Sequence, residues 1–329
     1  MTEKRRLRVF IWVAHHLEAE PLVREYVAGM REVFSGHDVE EGWGEDAYRG
    51  RMKGVEVLVC WGFAPRVLDE ADSLKWIQFG SAGINHALTP ELRASSIRLT
   101  TQTGLHAVTI AEYAVAGMLM MAHGIQTAIR QQAEGVWDRG PVISGVREFS
   151  GSTVGVAGMG HIGRAIASRC RALGARVIAT ASGQAGEDEA DVWVAKDDIA
   201  PLLGASDYVV LALPQTSATE GLLGEVEIGL MKTGAVLVNV ARGVIVDEDA
   251  LVRALREGRL GGAVLDVFRT EPLPPGSPLW RLPNVVITPH TSGATPEYGA
   301  KGARTAAANL RAYLAGERMP TEFDREKGY

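Results

Sequence analysis

Two sets of residues in this chain are spaced for chemistry. The first is a set of glycines, Gly158, Gly160 and Gly163, in VGVAGMGHIGRAIA. They follow an apolar run and precede a stretch with Ile162, Ala165, Ile166 and Cys170 at helical spacing, which stops at Gly174. Such a turn lets an anion approach the backbone at a helix N-terminus, where unpaired N–H groups and the helix dipole favour negative charge. The pattern is that of a dinucleotide pyrophosphate site. The second set consists of polar residues that each follow an apolar run: Arg242 in LVNVARGVIVDEDAL, Glu271 in GGAVLDVFRTEPLP and His290 in NVVITPHTSG. All three fall near strand C-termini, the edge where ligands collect in open α/β sheets. Taken singly, each has a plainer explanation, as a solvated arginine, a loop charge and a structural histidine beside proline.

The glycine site raises a question about its nucleotide. Sites of this type ordinarily end the second strand in Asp or Glu, which binds the adenosine ribose 2′-hydroxyl. Here the strand runs out in VIATASG, with Thr180 and Ser182 before Gly183. Loss of the carboxylate removes the repulsion against a 2′-phosphate, and two hydroxyls are offered instead. No Arg or Lys occurs between Thr180 and Val194 to pair with that phosphate. The balance favours NADP(H) and leaves NAD(H) admissible.

The elements that must carry these residues alternate along the chain, short apolar strands with helical stretches, as in parallel sheets covered by helices. The first hundred residues give strands at LRVFIWV, VEVLVCW, LKWIQFG and IRLTT, and a helix over EAEPLVREYVAGMREVF. Residues 106–134 read as one long helix, apolar enough to be buried. Six strands follow at TVGVAG, ARVIATA, DYVVLAL, AVLVNV, GGAVLDV and NVVIT, the number expected of a doubly wound nucleotide domain, and a last helix at ATPEYGAKGARTAAANLRAYLAG. The expected architecture is α/β, with two doubly wound domains and a cleft between them. A dinucleotide-binding domain at 104–291 is inserted into a substrate-binding domain made from 1–103 and 292–329.

Composition sets the class. The chain has 329 residues, 46% hydrophobic and 22% charged, with a formal net charge of −6. That is the make-up of a soluble globular protein, and no basic stripe suggests nucleic acid. The opening MTEKRRLRVFIWVAHH is read as a first buried strand, since its apolar run is short and ends in charged residues. The later segment AVAGMLMMAHGI is too short to span a bilayer. Cys60 and Cys170 lack metal or CxxC spacing and fit a reducing cytoplasm, and His15 and His16 are read as an exposed loop pair.

At this point the chain resembles the D-isomer-specific 2-hydroxyacid dehydrogenases, which include glyoxylate/hydroxypyruvate reductases. The resemblance runs from about residue 55 to 318 and rests on FGSAGINH, TIAEYAV, the glycine motif and the three segments quoted above. It implies that Arg242 grips the substrate carboxylate and polarises the 2-carbonyl, work suited to a planar bidentate donor. His290 would protonate the nascent alkoxide, its ordinary pKa of about 6.5 lying near working pH. Glu271 would orient the imidazole and stabilise its protonated form. Keto-acid reduction should then fade as pH rises through the imidazole's titration.

By the same resemblance, Ser81, Ala82 and Gly83 hold the substrate carboxylate through backbone N–H groups. His161 and Ile162 approach the pyrophosphate, Asp266 binds the nicotinamide carboxamide, and Thr109 and Pro214 join the cofactor set. Trp61 and Phe63 are pocket-wall or core residues, and Trp280 a further pocket or dimer-contact candidate. A homodimer is implied, with 106–134 as its contact surface or simply buried in its own subunit. Formate chemistry is disfavoured, since formate dehydrogenases of the family have Gln where Glu271 stands. Phosphite chemistry is disfavoured because the FGSAG loop has no Lys, and phosphoglycerate because no regulatory domain follows residue 329. The expected function is NAD(P)H-dependent reduction of a small 2-keto acid to the D-2-hydroxy acid. The alternative is a dinucleotide-sensing interaction protein of the corepressor kind, which can retain the same triad.

Overall fold

The structure, a computed structural model, describes residues 5–14, 21–84, 87–180, 186 and 189–325. The chain divides into two compact units, Met1–Leu105 with Thr295–Tyr329, and His106–Ala294.

The first unit is built on a parallel sheet of five strands: β1 (Arg8–Val13), β2 (Asp38–Trp43), β3 (Val57–Trp61), β4 (Trp76–Phe79) and β5 (Arg98–Thr100), in the order β2-β1-β3-β4-β5. That is the flavodoxin-like order. Its helices are α1 (Pro21–Val33), α2 (Val67–Glu70), α3 (Pro90–Ala94) and, from the C-terminal part of the chain, α11 (Tyr298–Ala315). Side chains alternate across β1. Val9, Ile11 and Val13 enter a core shared with α1 and α11, while Phe10 and Trp12 enter a second core with Tyr48, Met52 and Leu92. A sheet buried on both faces needs apolar runs; β1 and β3 have them unbroken, and β4 is broken only by the buried Gln78. Helices α1 and α11 approach closely because α11 carries glycines; a Cβ on Gly302 would sit 2.6 Å from the Tyr26 ring.

The second unit begins with α4 (Ala107–Ala122), α5 (Ile125–Glu134) and α6 (Arg139–Ile143). There follow β6 (Thr153–Ala157), α7 (His161–Ala172), β7 (Arg176–Thr180), β8 (Val192–Val194), α8 (Ala200–Ala205) and β9 (Tyr208–Leu211). Next come α9 (Glu225–Leu230), β10 (Val236–Asn239), α10 (Glu248–Arg256), β11 (Gly262–Leu265) and β12 (Val285–Ile287). Its seven strands are all parallel, in the order β12-β11-β10-β9-β6-β7-β8, with the reversal between β6 and β9 that marks a doubly wound sheet. One face is packed by α4 and α7 through Ala114, Met118, Ile166 and Cys170, the other by α8, α9 and α10 through Leu202, Ile228, Leu251 and Leu255.

Three sequence expectations change here. Residues 106–134 do not form one buried helix: the chain turns by 73° between α4 and α5, where Gly124 adopts a left-handed φ of 65°. Helix α4 is buried against β10, β11 and α7, and Gly117 lets it come close, since a Cβ there would lie 2.7 Å from Val264. Helix α5 buries no residue. The other two changes are strands absent from the apolar runs, β2 and β8. Both lie at sheet edges with partial exposure, so neither needs such a run. Among the described residues no single helix is long and apolar enough to cross a membrane. Cys60 and Cys170 are buried, and burial pushes both thiols above their usual range.

Candidate active site

The turn from β6 into α7 fits a dinucleotide pyrophosphate. Gly158 has φ +99°, and a Cβ there would come 2.6 Å from the Ala212 carbonyl oxygen; one on Gly163 would overlap the Gly158 carbonyl. At Gly160 a Cβ would meet nothing within 4 Å, so the backbone there is open on its outer side. Gly160 caps α7 without a side chain, and among the described residues no acceptor meets the N–H groups of His161, Ile162 or Gly163. These are the donors an anion requires.

Thr180 departs from expectation. Its side chain is 3% exposed, and its hydroxyl accepts a hydrogen bond from the Gly158 N–H at 2.9 Å. It ties the end of β7 to the glycine turn instead of facing outward toward a 2′-phosphate. Ser182, like His15 and His16, lies outside the described residues. Thr109 is half-buried in the first turn of α4, and Pro214 is exposed after β9, its carbonyl accepting from the Thr219 hydroxyl at 2.7 Å.

Glu271 and His290 are brought together from two loops of the second unit. Glu271 accepts from the Phe268 N–H at 2.9 Å through Oε1, and its Oε2 lies 2.7 Å from His290 Nδ1. One carboxylate oxygen is thus fixed by its own loop and the other fixes the imidazole. With Nδ1 engaged, Nε2 is the nitrogen left to exchange a proton with a ligand. The His290 side chain is 52% exposed, so it is accessible.

His290 itself is held in a left-handed conformation, φ 54°. That geometry is maintained by the buried Asp266, whose Oδ1 accepts from the Thr288 hydroxyl at 2.5 Å and the Thr291 N–H at 2.8 Å, and whose Oδ2 accepts from Ser292 N–H at 3.0 Å. The Asp266 carbonyl oxygen adds a bond from the His290 N–H at 2.9 Å. Tyr113 of α4 extends the cluster, 2.7 Å from the Thr288 hydroxyl, and burial pushes its phenol up to about 12. Asp266 is therefore first a clasp on the loop after β12. Four partners over-determine a backbone conformation that a non-glycine residue adopts at some cost.

Arg242 follows β10, half-buried, with Nη1 donating to the Ala241 carbonyl at 2.7 Å. Burial lowers the pKa of its guanidinium and the Glu271 charge acts against that. Its carbonyl accepts from Asn239 Nδ2 at 3.1 Å, and Asn239 Oδ1 accepts from Ala241 N–H at 3.0 Å, so a buried amide shapes this loop. Gly243 brings it against the Glu271 loop, since a Cβ there would overlap the backbone of Phe268 and Arg269. Asn239, Gly243, Thr288 and Tyr113 were not singled out from sequence. The glycine one residue after Arg242 was the available signal.

In the first unit, Ser81, Ala82 and Gly83 follow β4. The Ser81 hydroxyl donates to the Gly83 carbonyl at 3.0 Å, and among the described residues no acceptor meets the N–H of Ala82 or Gly83. Trp61 does not stand free as a wall. It stacks on Tyr298 with ring centroids 4.9 Å apart and interplanar angle 15°, and meets Tyr26 edge-on. The Tyr298 hydroxyl donates to the Gly80 carbonyl, the Ser81 carbonyl accepts from Gln102 N–H at 3.0 Å, and Gln102 Nε2 donates to the Tyr26 hydroxyl at 2.9 Å. An aromatic cage thus holds the loop from beneath. Phe63 packs on Phe79, and Trp280 is 51% exposed with its indole N–H donating to the Pro274 carbonyl.

A model of the D-isomer specific 2-hydroxyacid dehydrogenase, NAD binding domain, matches residues 115–292. The chain belongs to that family. This dehydrogenase is 34% identical to a glyoxylate reductase of Korarchaeum cryptofilum over 281 residues, 84% of this chain and 85% of the relative. It is 37% identical to human glyoxylate reductase/hydroxypyruvate reductase over 261 residues, 78% of this chain and 80% of that one. A D-isomer specific 2-hydroxyacid dehydrogenase from Xanthobacter autotrophicus, solved with NADPH and MES, superposes with a TM-score of 0.84 at 28% identity, covering 98% of this chain and 99% of that one. The protein is accordingly an oxidoreductase of the 2-hydroxyacid dehydrogenase class that uses a nicotinamide dinucleotide.

Proposed function

We propose that the dehydrogenase reduces a small 2-keto acid of the glyoxylate or hydroxypyruvate kind to its D-2-hydroxy acid, with NADPH preferred and NADH accepted. The observation that carries this reading is the Glu271–His290 pair at 2.7 Å, which leaves Nε2 of an accessible imidazole as a proton donor. The dinucleotide supplies the hydride. His290 gives its proton to the carbonyl oxygen as that oxygen becomes an alkoxide, and Glu271 stabilises the imidazolium beforehand. Arg242 binds the carboxylate and polarises the carbonyl, and the N–H groups of Ala82 and Gly83 hold the carboxylate. Asp266 keeps acceptor capacity on Oδ2 for the nicotinamide carboxamide beyond its clasp on the loop.

The cofactor reading is supported by the missing acid at the end of β7 and by NADPH in the Xanthobacter relative. The subunit association we propose is a homodimer. Its contact face shifts from the whole of 106–134 to α5, α6 and the segments beside them, where Ile129, Trp137 and Ile143 are 50%, 93% and 56% exposed. We further propose a cytoplasmic location, a reading supported by two buried cysteines that form no disulfide.

Initial rates with NADPH and NADH, each against glyoxylate, hydroxypyruvate, pyruvate and phenylpyruvate, test the reading, with chiral analysis of the product. Turnover of a small 2-keto acid to the D product, faster with NADPH, is expected. Tight nucleotide binding without turnover of any of the four would contradict it.

A further inference from the structure

The nucleotide-binding unit carries a cation beside the β7–β8 connection that the linear sequence conceals. That connection contains no Lys or Arg up to Val194. Arg164, the residue directly after the last glycine of the motif, lies in the first turn of α7, and its guanidinium pairs with the carboxylate of Glu189 on the connection. Glu189 Oε2 also accepts from the Gly186 N–H at 3.3 Å. Seven residues further along α7, Arg171 lies 3.5 Å from Asp191, which in turn accepts from the Val177 N–H at 2.7 Å. Seven residues are close to two helical turns, so both arginines share the face of α7 turned toward the connection. Arg164 is the one nearer the helix N-terminus and hence nearer the strand ends, the level at which a dinucleotide's adenosine ribose lies. Its side chain is 38% exposed and that of Glu189 32%, so both can be reached by a solute.

We propose that Arg164 is the receptor for the 2′-phosphate of NADP(H), and that Glu189 holds it in the nucleotide-free protein. The inference rests on the NADP(H) reading above. A phosphate monoester carries nearly two negative charges and three acceptor oxygens, against one charge and two oxygens for Glu189, so the guanidinium gains by exchanging partners. Glu189 keeps the Gly186 N–H when Arg164 leaves. With a bare 2′-hydroxyl, as in NAD(H), Arg164 stays with Glu189 and neither attracts nor repels the ligand. The device therefore gives preference without exclusion.

Calorimetric titration with 2′,5′-ADP and with 5′-AMP reads the phosphate alone, without turnover, in the wild type and in Arg164→Gln and Glu189→Gln. The wild type should bind 2′,5′-ADP more tightly. Arg164→Gln should weaken 2′,5′-ADP roughly tenfold and leave 5′-AMP within about twofold, as expected for loss of one charge-assisted contact. Glu189→Gln should tighten 2′,5′-ADP by about two- to fivefold through the freed guanidinium, a gain that damage to the fold cannot imitate. A wild type without preference for 2′,5′-ADP overturns the NADP(H) reading and this assignment with it. A preference that survives in both variants overturns the assignment of Arg164 alone. Equal weakening of both nucleotides in Arg164→Gln also overturns it, since the arginine would then be supporting the turn.

Discussion

At the scale of single residues, the site works by leaving few side chains free to choose. Glu271 has one oxygen on its own backbone and one on the imidazole; His290 is pinned at a left-handed φ by the Asp266 clasp. Arg242 is desolvated, which strengthens each bond it makes to a carboxylate. A lysine at 242 keeps the charge and loses the planar fork, so it cannot both grip a carboxylate and polarise the adjacent carbonyl. Arg242→Lys should lower kcat/KM for the keto acid by about a hundredfold, the usual scale for losing one oriented donor at a reacting oxygen. Steady-state kinetics check this; a loss under about threefold would remove Arg242 from the reacting centre.

At the scale of elements, order along the chain was readable and support was not. The strand-to-loop pattern points to Arg242, Glu271 and His290 because each follows a largely apolar parallel strand, buried in β10 and β11 and half-buried in the edge strand β12. The edge strand DVEEGW has no apolar run, because an edge is half solvated, and the edge strand VWV is only three residues long. The break at Gly124 was hidden by apolar residues continuing on both sides of it. Strand alternation does not tell which end residue will satisfy the glycine turn, so the bond from the Gly158 N–H to the Thr180 hydroxyl is not legible in the sequence.

Least readable was the cage under the Ser81 loop, since Tyr26, Trp61, Gln102 and Tyr298 come from four separate segments. Tyr298 is the informative position because its ring packs and its hydroxyl reaches the Gly80 carbonyl. Tyr298→Phe keeps the stack and frees the loop. It should raise KM for the keto acid about three- to tenfold while kcat and nucleotide affinity stay within about twofold, the scale of one lost hydrogen bond. A purely structural tyrosine would instead lower the melting temperature and leave KM unmoved.

At the scale of the whole molecule, the chain ends jointly build the first unit. After α11 the chain returns to β5: the Phe323 N–H donates to the Leu99 carbonyl at 2.8 Å, and Thr321 binds the Thr101 carbonyl at 2.7 Å. Arg98 holds Glu322 at 2.8 and 2.6 Å. The Arg98 hydrogen bond, aided by the Met319 N–H and opposed by partial burial, holds the Glu322 carboxyl below its ordinary range. A depressed carboxyl contributes stability above its unfolded pKa and loses it as pH falls through the folded value. Glu322→Gln should therefore cost about 1 kcal/mol near pH 7, a charge-assisted bond discounted for partial exposure. The difference from wild type should shrink as pH drops below about 4.5. Denaturant melts at two pH values measure it, and a difference that grew in acid would show that the pair is not what anchors the return segment.

The measurement closest to the centre of the account is the pH dependence of keto-acid reduction in the wild type, Glu271→Gln and His290→Gln, under single-turnover conditions so that hydride transfer is observed. The wild-type rate should fall toward high pH, as proton donation by a general acid requires. In Glu271→Gln, with no carboxylate to hold Nδ1, the rate should fall by about tenfold or more. In His290→Gln the rate should drop by about a hundredfold or more and lose that limb. A wild-type rate flat into strongly alkaline pH, or a His290→Gln rate within tenfold of it, would contradict His290 as the proton donor.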